Sequence, residues 1–315
     1  MEKIISQHGL FRFSGRLRNT LSLTIKKPLR WALSRTQPDR IKIFYCLTSS
    51  GQDLYEAMTL VSLSTLRRTN PLAHATIICD HHTYAALKAS GSPLFEAADA
   101  IAGVTTPEEA PGYRNRFLKT QLGTLIDGPF LYLDSDTIVR RSLAPLNKLS
   151  ADIAAAPNHS TDSVEKQLWH EDQAHLQAMG WQVNAPYFNG GVIWHQGTPA
   201  SRNFSQSWHR NWLDGVQRSG RWRDQTAFNH TLAQASGLQI QGLGHQWNAQ
   251  YLVTPTSAQG ARIWHTYSSA GAIAERQDEL FFLCCQQVLS SGGKDLSAES
   301  PLIKTLVRAP SPRGH

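Results

Sequence analysis

From residue 41 onward, short apolar runs alternate with stretches of helical spacing. Ile41–Thr48 is mainly apolar and rich in β-prone residues, as a buried strand requires. Residues 53–69 then set Leu54, Met58, Val61 and Leu66 at helical spacing. Ala75–Cys79 predicts a second strand ending at Asp80, residues 82–90 a helix, and Ala100–Val104 a short third strand. Tyr113–Ile126 again has helical spacing and is broken at Gly128-Pro129. Phe130–Leu133 is apolar without interruption, the pattern of a strand covered on both faces in a parallel sheet. Strands alternating with helices predict an α/β fold built on an open sheet.

The first forty residues follow a different pattern. Leu10, Phe13, Leu17 and Leu21 share one helical face, with Arg12 and Arg16 opposite. Around Pro28, Ile25, Leu29 and Leu33 form a second short stripe among Lys26, Lys27 and Arg30. The pattern predicts a basic amphipathic arm over residues 1–40. A single folded domain is expected over residues 41–290. The tail, 291–315, is rich in Ser, Gly and Pro and is expected to be partly disordered.

Composition sharpens this division. The 315 residues are 41 % apolar and 17 % charged, which is a globular balance with length enough for a large core. The net charge is +7, and all of it sits in the arm, where nine Lys or Arg face only Glu2 and Asp39. The remaining 275 residues are balanced, with 22 basic and 22 acidic side chains. A neutral body argues against a nucleic-acid surface. The arm suits an anionic membrane surface, or a protein partner. No apolar run approaches the roughly 18 residues of a spanning helix. Arg12, Arg16 and Arg18 also break any secretory apolar stretch. None of Cys46, Cys79, Cys284 and Cys285 has Cys-x-x-Cys spacing, so a zinc site is not expected. Cys46 and Cys79 read as core thiols of a protein in the reducing cytoplasm.

The chemistry concentrates in Phe130-Leu-Tyr-Leu-Asp134-Ser135-Asp136-Thr-Ile-Val139. A buried strand here ends in two carboxylates one residue apart. Ligands of open α/β sheets bind beyond the carboxyl ends of the strands. Two acids so placed repel each other unless a cation lies between them. Hard oxygen donors suit Mg²⁺ or Mn²⁺ bridging to a diphosphate. A strand-ending turn with capping carboxylates would give the same pair.

Together with four further motifs, this segment resembles the GT-A glycosyltransferases. Within them it is similar to family 8, which includes glycogenin and lipopolysaccharide galactosyltransferases. The motifs run in the family's order over residues 41–267. The resemblance implies a Rossmann-like, mixed but mostly parallel sheet flanked by helices. Leu47-Thr48-Ser49 and Tyr55 would wrap a uridine, with Thr48 bonding the base or ribose and Tyr55 stacking on the uracil. Lys119, one turn after Arg114 and Arg116, would hold the donor, as would Ser135. Tyr187-Phe188-Asn189-Gly190-Gly191-Val192 resembles the family's Phe-Asn-Ser-Gly-Val strand, so Asn189 and Gly191 would contact the donor sugar. Asp224-Gln225 would lie by the anomeric carbon. The similar pair Asp172-Gln173 is out of the family's order. His265, in Arg262-Ile-Trp-His265, would be a third metal ligand after Asp134 and Asp136, favouring Mn²⁺. Trp247-Asn248 resembles a family landmark and is read as structural.

Two departures stand out. After His265 the chain reads Thr-Tyr-Ser-Ser-Ala-Gly271, without the family's Lys-Pro-Trp and its diphosphate-gripping lysine, so Arg262 or Arg276 becomes the substitute. The stretch between Asp136 and Asn189 is also long. With Trp169-His170-Glu171-Asp172 and Trp181, it suggests an inserted helix near the acceptor.

The resemblance implies transfer of a hexose from a UDP-sugar to an acceptor hydroxyl, with retention. Asn189, Asp224 and Gln225 are its catalytic candidates. The acceptor would be a glycolipid or lipopolysaccharide-type glycan, reached from the cytoplasmic face of the membrane. The competing readings are a nucleotidyltransferase and an inactive nucleotide-sugar-binding or scaffold protein. Residues 48–55 hold one Gly and no basic side chain, against the Gly-rich basic loop of a nucleotidyltransferase.

Overall fold

The computed structural model describes residues 40–266 and 279–309. The chain runs through β1 (Lys42–Leu47), α1 (Leu54–Thr69), β2 (His74–Asp80), α2 (His81–Ala89), β3 (Ala100–Val104), α3 (Pro111–Leu125), β4 (Phe130–Leu133) and β5 (Thr137–Val139). It continues through β6 (Ile153–Pro157), α4 (His170–Met179), β7 (Phe188–His195), α5 (Pro199–Ser219), α6 (Asp224–Gln234), β8 (Ile240–Gly242), β9 (Ile263–His265), α7 (Leu280–Ser291) and α8 (Pro301–Arg308). Each strand and helix expected between residues 41 and 133 is present, with ends displaced by at most two residues.

Seven strands form one sheet in the order β3-β2-β1-β4-β7-β6-β8. All run the same way except β7, which is antiparallel to both β4 and β6. Its register pairs Leu133 with Val192, so Phe188–Gly191 begins where β4 ends. The backbone N–H of Asp134 then donates to Gly191 O at 2.8 Å. One reversed strand thus brings a glycine-rich segment to the carboxyl edge of the parallel strands. A second, two-stranded sheet pairs β5 with β9, with Thr137 opposite His265.

Both faces of the large sheet are covered, and β1 shows why its sequence is apolar throughout. Ile43, Tyr45 and Leu47 pack in one core with the apolar face of α1, α7 and α8, whereas Phe44 and Cys46 pack with α3, α5 and α6. The second core is rich in aromatic residues. Phe204, Trp208 and Trp212 recur every four residues along α5 and are buried. Thr198 caps this helix by accepting from Ser201 N, Pro199 occupies its first turn, and Gly220 at φ 67° ends it. Truncating Trp208 to Ala would cost about 3–5 kcal/mol by the usual yield of such changes. All four cysteines are buried free thiols.

The C-terminal segment, expected to be partly disordered, contains α8. Leu296, Ile303 and Leu306 join the core formed by α1, so this core extends beyond the boundary drawn at residue 290. Arg140 lies 3.6 Å over the Trp264 ring and donates to Val307 O, tying that segment to β5 and β9. The basic arm over residues 1–39, Gly271, Arg276 and residues 310–315 lie outside the described residues. Among the described residues no helix is long and apolar enough to cross a membrane.

Candidate active site

The turn after β4 carries Asp134-Ser135-Asp136, and its backbone is held from both sides. Thr137 Oγ1 donates to Asp134 O at 2.8 Å, and Thr266 N donates to Asp136 O at 2.9 Å. Because β5 pairs with β9, His265 lands beside the second carboxylate, with Nε2 3.1 Å from Asp136 Oδ1. One ligand atom from each of Asp134, Asp136 and His265 lies within 4.8 Å of the others. Burial alone would lower the His265 pKa, yet Asp136 and Asp134 outweigh it and hold it above its usual value. Gly191 closes the cluster from β7. A Cβ there would lie 2.3 Å from His265 Cε1 and 2.7 Å from Asp134 Oδ2. Two carboxylates and an imidazole around a space that only glycine leaves open fit a divalent cation such as Mn²⁺ or Mg²⁺.

A second charged set adjoins the first. Lys119 Nζ, from α3, is 2.8 Å from Asp224 Oδ2 and 3.3 Å from Asp134 Oδ1, and it lies 5.1 Å above the Tyr132 ring. Burial lowers the Lys119 pKa, but Asp134 and Asp224 overcome this and raise it. Burial likewise raises the Asp224 pKa, and Lys119 and Arg116 more than reverse it. Both groups are therefore charged at neutral pH. Asp224 opens α6, where the C-terminal glycine of α5 turns the chain back, and Trp208 Nε1 donates to Asp224 O at 2.9 Å. Gln225 Oε1 accepts from Gly190 N at 3.0 Å, which binds the start of α6 to β7. The Tyr132 hydroxyl donates to Asp134 Oδ1.

The two charged sets line one cleft of about 880 Å³, large enough for a small molecule or cofactor. Lys119, Asp134, Asp136, Asn189, Gly191, Asp224, Gln225 and His265 meet there. The other expected residues are placed differently. Thr48 donates to Pro111 O at 3.1 Å, and Tyr55 stands exposed on the first turn of α1; neither lines this cleft. Ser135 Oγ accepts from Thr59. Arg114 is drawn away to Asp80 at 3.0 Å. Arg262 donates to Ser142 O and lies over the Trp247 ring, so it does not replace the missing lysine in the cleft.

Asn189 is corrected by its surroundings. Its side chain was expected to contact the sugar, but the residue is 1 % exposed and its amide is used within the protein. Nδ2 donates to Asn158 Oδ1, while Oδ1 accepts from Gly191 N and Asn248 Nδ2. Only its backbone and its glycine neighbours are left for a ligand.

Three features in or behind the cleft were not legible as such. Asp172, set aside on motif order, is buried and accepts from Arg223 Nη1 at 2.7 Å and Tyr187 at 3.2 Å. The helix expected between Asp136 and Asn189 is α4, and it is what delivers Asp172 to the cleft. Trp222, 41 % exposed, and Arg221 line the mouth on the turn before Asp224. Asn248 bonds His265 Nδ1 at 2.9 Å. Its adjacency to Trp247 was the sole hint in the sequence.

A family model for nucleotide-diphospho-sugar transferases matches residues 75–262. Among solved structures, the galactosyltransferase LgtC in complex with donor and acceptor sugar analogues is similar at 16 % identity and a TM-score of 0.53. That match covers 78 % of this chain and 96 % of that one. The apo bifunctional glycosyltransferase WbbM is similar at 13 % identity and a TM-score of 0.52, over 88 % of this chain and 52 % of its own. No curated protein matches the chain in sequence.

Proposed function

The chain belongs to the nucleotide-diphospho-sugar transferase family, and we propose that this glycosyltransferase moves a hexose from a UDP-sugar to an acceptor hydroxyl, using a divalent cation. Its fold is that of the GT-A glycosyltransferases such as LgtC. The observation that carries the proposal is the convergence of Asp134, Asp136 and His265 beside the Lys119–Asp224 pair in one cleft.

In this reading Asp134, Asp136 and His265 would hold Mn²⁺ or Mg²⁺, which would supply Lewis-acid neutralisation of charge on a departing diphosphate. Lys119 adds a buried positive charge beside Asp134. Gly190 and Gly191 let the sugar approach the backbone of β7, while Asn189 acts from behind as part of the frame. Asp224, kept ionised by Lys119 and Arg116, and Gln225 flank the sugar. Retention requires a protein nucleophile or attack from the face that the leaving group vacates. Asp224 and Gln225 are the side chains assigned to either route. Holding the reactants in such a geometry supplies about 7–11 kcal/mol at best. Thr48, just after β1, and Tyr55, on the first turn of α1, are the residues that the family resemblance assigns to the uridine, and they lie outside the lining of this cleft.

The acceptor in this proposal is a glycolipid or lipopolysaccharide-type glycan. Its support is the family resemblance together with the concentration of basic charge in residues 1–40, which would hold the enzyme peripherally on an anionic, cytoplasmic membrane face. Calorimetry with UDP, with and without Mn²⁺ and with GDP as control, tests the donor. Mn²⁺-dependent binding of UDP alone is expected. Binding of neither nucleotide would overturn the reading in favour of a scaffold.

A further inference from the structure

We propose that Asn248 is a positioning residue that fixes the tautomer of His265 and so presents Nε2 to the cation; the inference rests on the cation reading above. The N–H of Gly191 can only donate, and its partner is Asn189 Oδ1 at 2.8 Å. That atom is therefore oxygen. Asn248 brings an amide atom to 2.8 Å from the same oxygen, so this atom is Nδ2 and donates. The remaining Asn248 atom is Oδ1, 2.9 Å from His265 Nδ1. An amide oxygen has no proton to give, so the proton of this bond sits on His265 Nδ1.

The far end of the network gives the same orientation independently. Gln250 Oε1 takes the backbone N–H of His159 at 2.9 Å, and Asn158 Nδ2 donates to the carbonyl of Gln167 at 2.6 Å. Asn189 Nδ2 then donates to Asn158 Oδ1 at 3.0 Å and faces Gln250 Oε1 at 3.4 Å. Asn158, Asn248 and Gln250 are fully buried and Asn189 is 1 % exposed. Turning any one of these amides over would set oxygen against oxygen away from water.

With Nδ1 protonated, the lone pair of a neutral His265 lies on Nε2. That nitrogen is the one within the cluster, 3.1 Å from Asp136 Oδ1. Gly191 has two tasks in this arrangement. Its missing side chain makes room for the cation, and its N–H anchors the amide chain that orients the third ligand. Hydrogen-bond partners behind a ligating histidine set its tautomer and its basicity.

The test uses the full chain and reads the bound cation directly. Cadmium NMR on protein with nitrogen-labelled histidine should show coupling through His265 Nε2, with Nδ1 protonated. Mn²⁺ titration should find binding weakened about 10–100-fold in Asn248→Leu, which loses the acceptor. Asn248→Asp keeps the acceptor for His265 Nδ1 but sets a carboxylate oxygen against Asn189 Oδ1, so it should lose stability while holding Mn²⁺ affinity close to wild type. A packing role would lower the melting temperature of both variants and leave Mn²⁺ affinity unchanged, which would overturn the inference. So would cation coupling through Nδ1, a result that needs no variant to fold. Failure of wild type to bind either cation overturns the cation reading itself, and this inference with it.

Discussion

The two charged sets of the cleft are balanced in different ways. Asp134 and Asp136 stand at one strand end, and between them they face His265 and a share of Lys119. In the second set each carboxylate has cations beside it, Asp224 with Lys119 and Arg116, and Asp172 with Arg223, which also meets Glu171. Two carboxylates at one strand end repel each other, and a bound cation relieves that repulsion. Matched buried pairs hold a fixed geometry without a ligand and fail when one member is removed. The first set is thus built to receive something, the second to position it.

The largest expected effect lies in the second set. Lys119→Met leaves Asp224, 13 % exposed, with only Arg116 at 3.8 Å and should cost about 3–5 kcal/mol of stability in chemical denaturation. Adding Asp224→Leu should restore most of that loss, because an apolar pair of similar volume replaces an ionic one. Equal destabilisation in the single and double variants would break the comparison. Asp136→Asn should behave in the opposite sense. It removes a carboxylate that partners His265 at the candidate cation site, so its main effect should fall on function, with turnover in Mn²⁺ lower by about 10²–10³-fold. A variant that loses stability and keeps its turnover would place Asp136 in the matched set.

Adjacent glycines sharpen the boundary between the sets. At Gly191 a Cβ would meet His265 and Asp134 well inside contact distance, whereas at Gly190 the nearest atom, Lys119 Nζ, is 3.6 Å away. Gly191→Ala should therefore weaken Mn²⁺ binding by about 10–100-fold, as loss of ligand orientation commonly does. Gly190→Ala should leave it near wild type. Calorimetric titration of both variants checks the contrast.

The sequence made the first set readable and hid most of the second. Phe130–Leu133 is apolar because β4 is covered on both faces, so the carboxylates after it stood out at a strand end. The strand bearing His265 could be matched to the family, although its pairing with β5 spans more than a hundred residues. Asp172 and Arg223 are separated by about fifty residues and meet only because α4 and the α5–α6 turn fold onto the same mouth. No local pattern encodes that meeting. The three residues of β8 are all exposed, so that edge strand gave no apolar run to read. Asn189 misled because a motif records which residue is present but not where its amide points. Here Asn158, Asn248 and the backbone of Gly191 take it up.

The smallest effect is a difference in pH dependence between the two carboxylates of the matched set. Burial dominates at Asp172 and, despite Arg223 and Tyr187, leaves its pKa above the ordinary 3.8, with Asp224 nearby adding to the rise. At Asp224, Lys119 and Arg116 overcome burial and take its pKa below 3.8. The signs follow from linkage. The contribution of Asp172 to stability is complete below 3.8 and is lost as pH rises through its raised folded value. That of Asp224 is complete above 3.8 and is lost as pH falls through its depressed folded value. Melting temperatures of wild type, Asp172→Asn and Asp224→Asn across the acid range separate the two. Asp172→Asn should remove a decline that wild type shows as pH climbs past 3.8, and Asp224→Asn should remove part of the decline below it. Parallel curves for the two variants would mean that both carboxylates sense the same charge, and the matched set would then have to be treated as one coupled site.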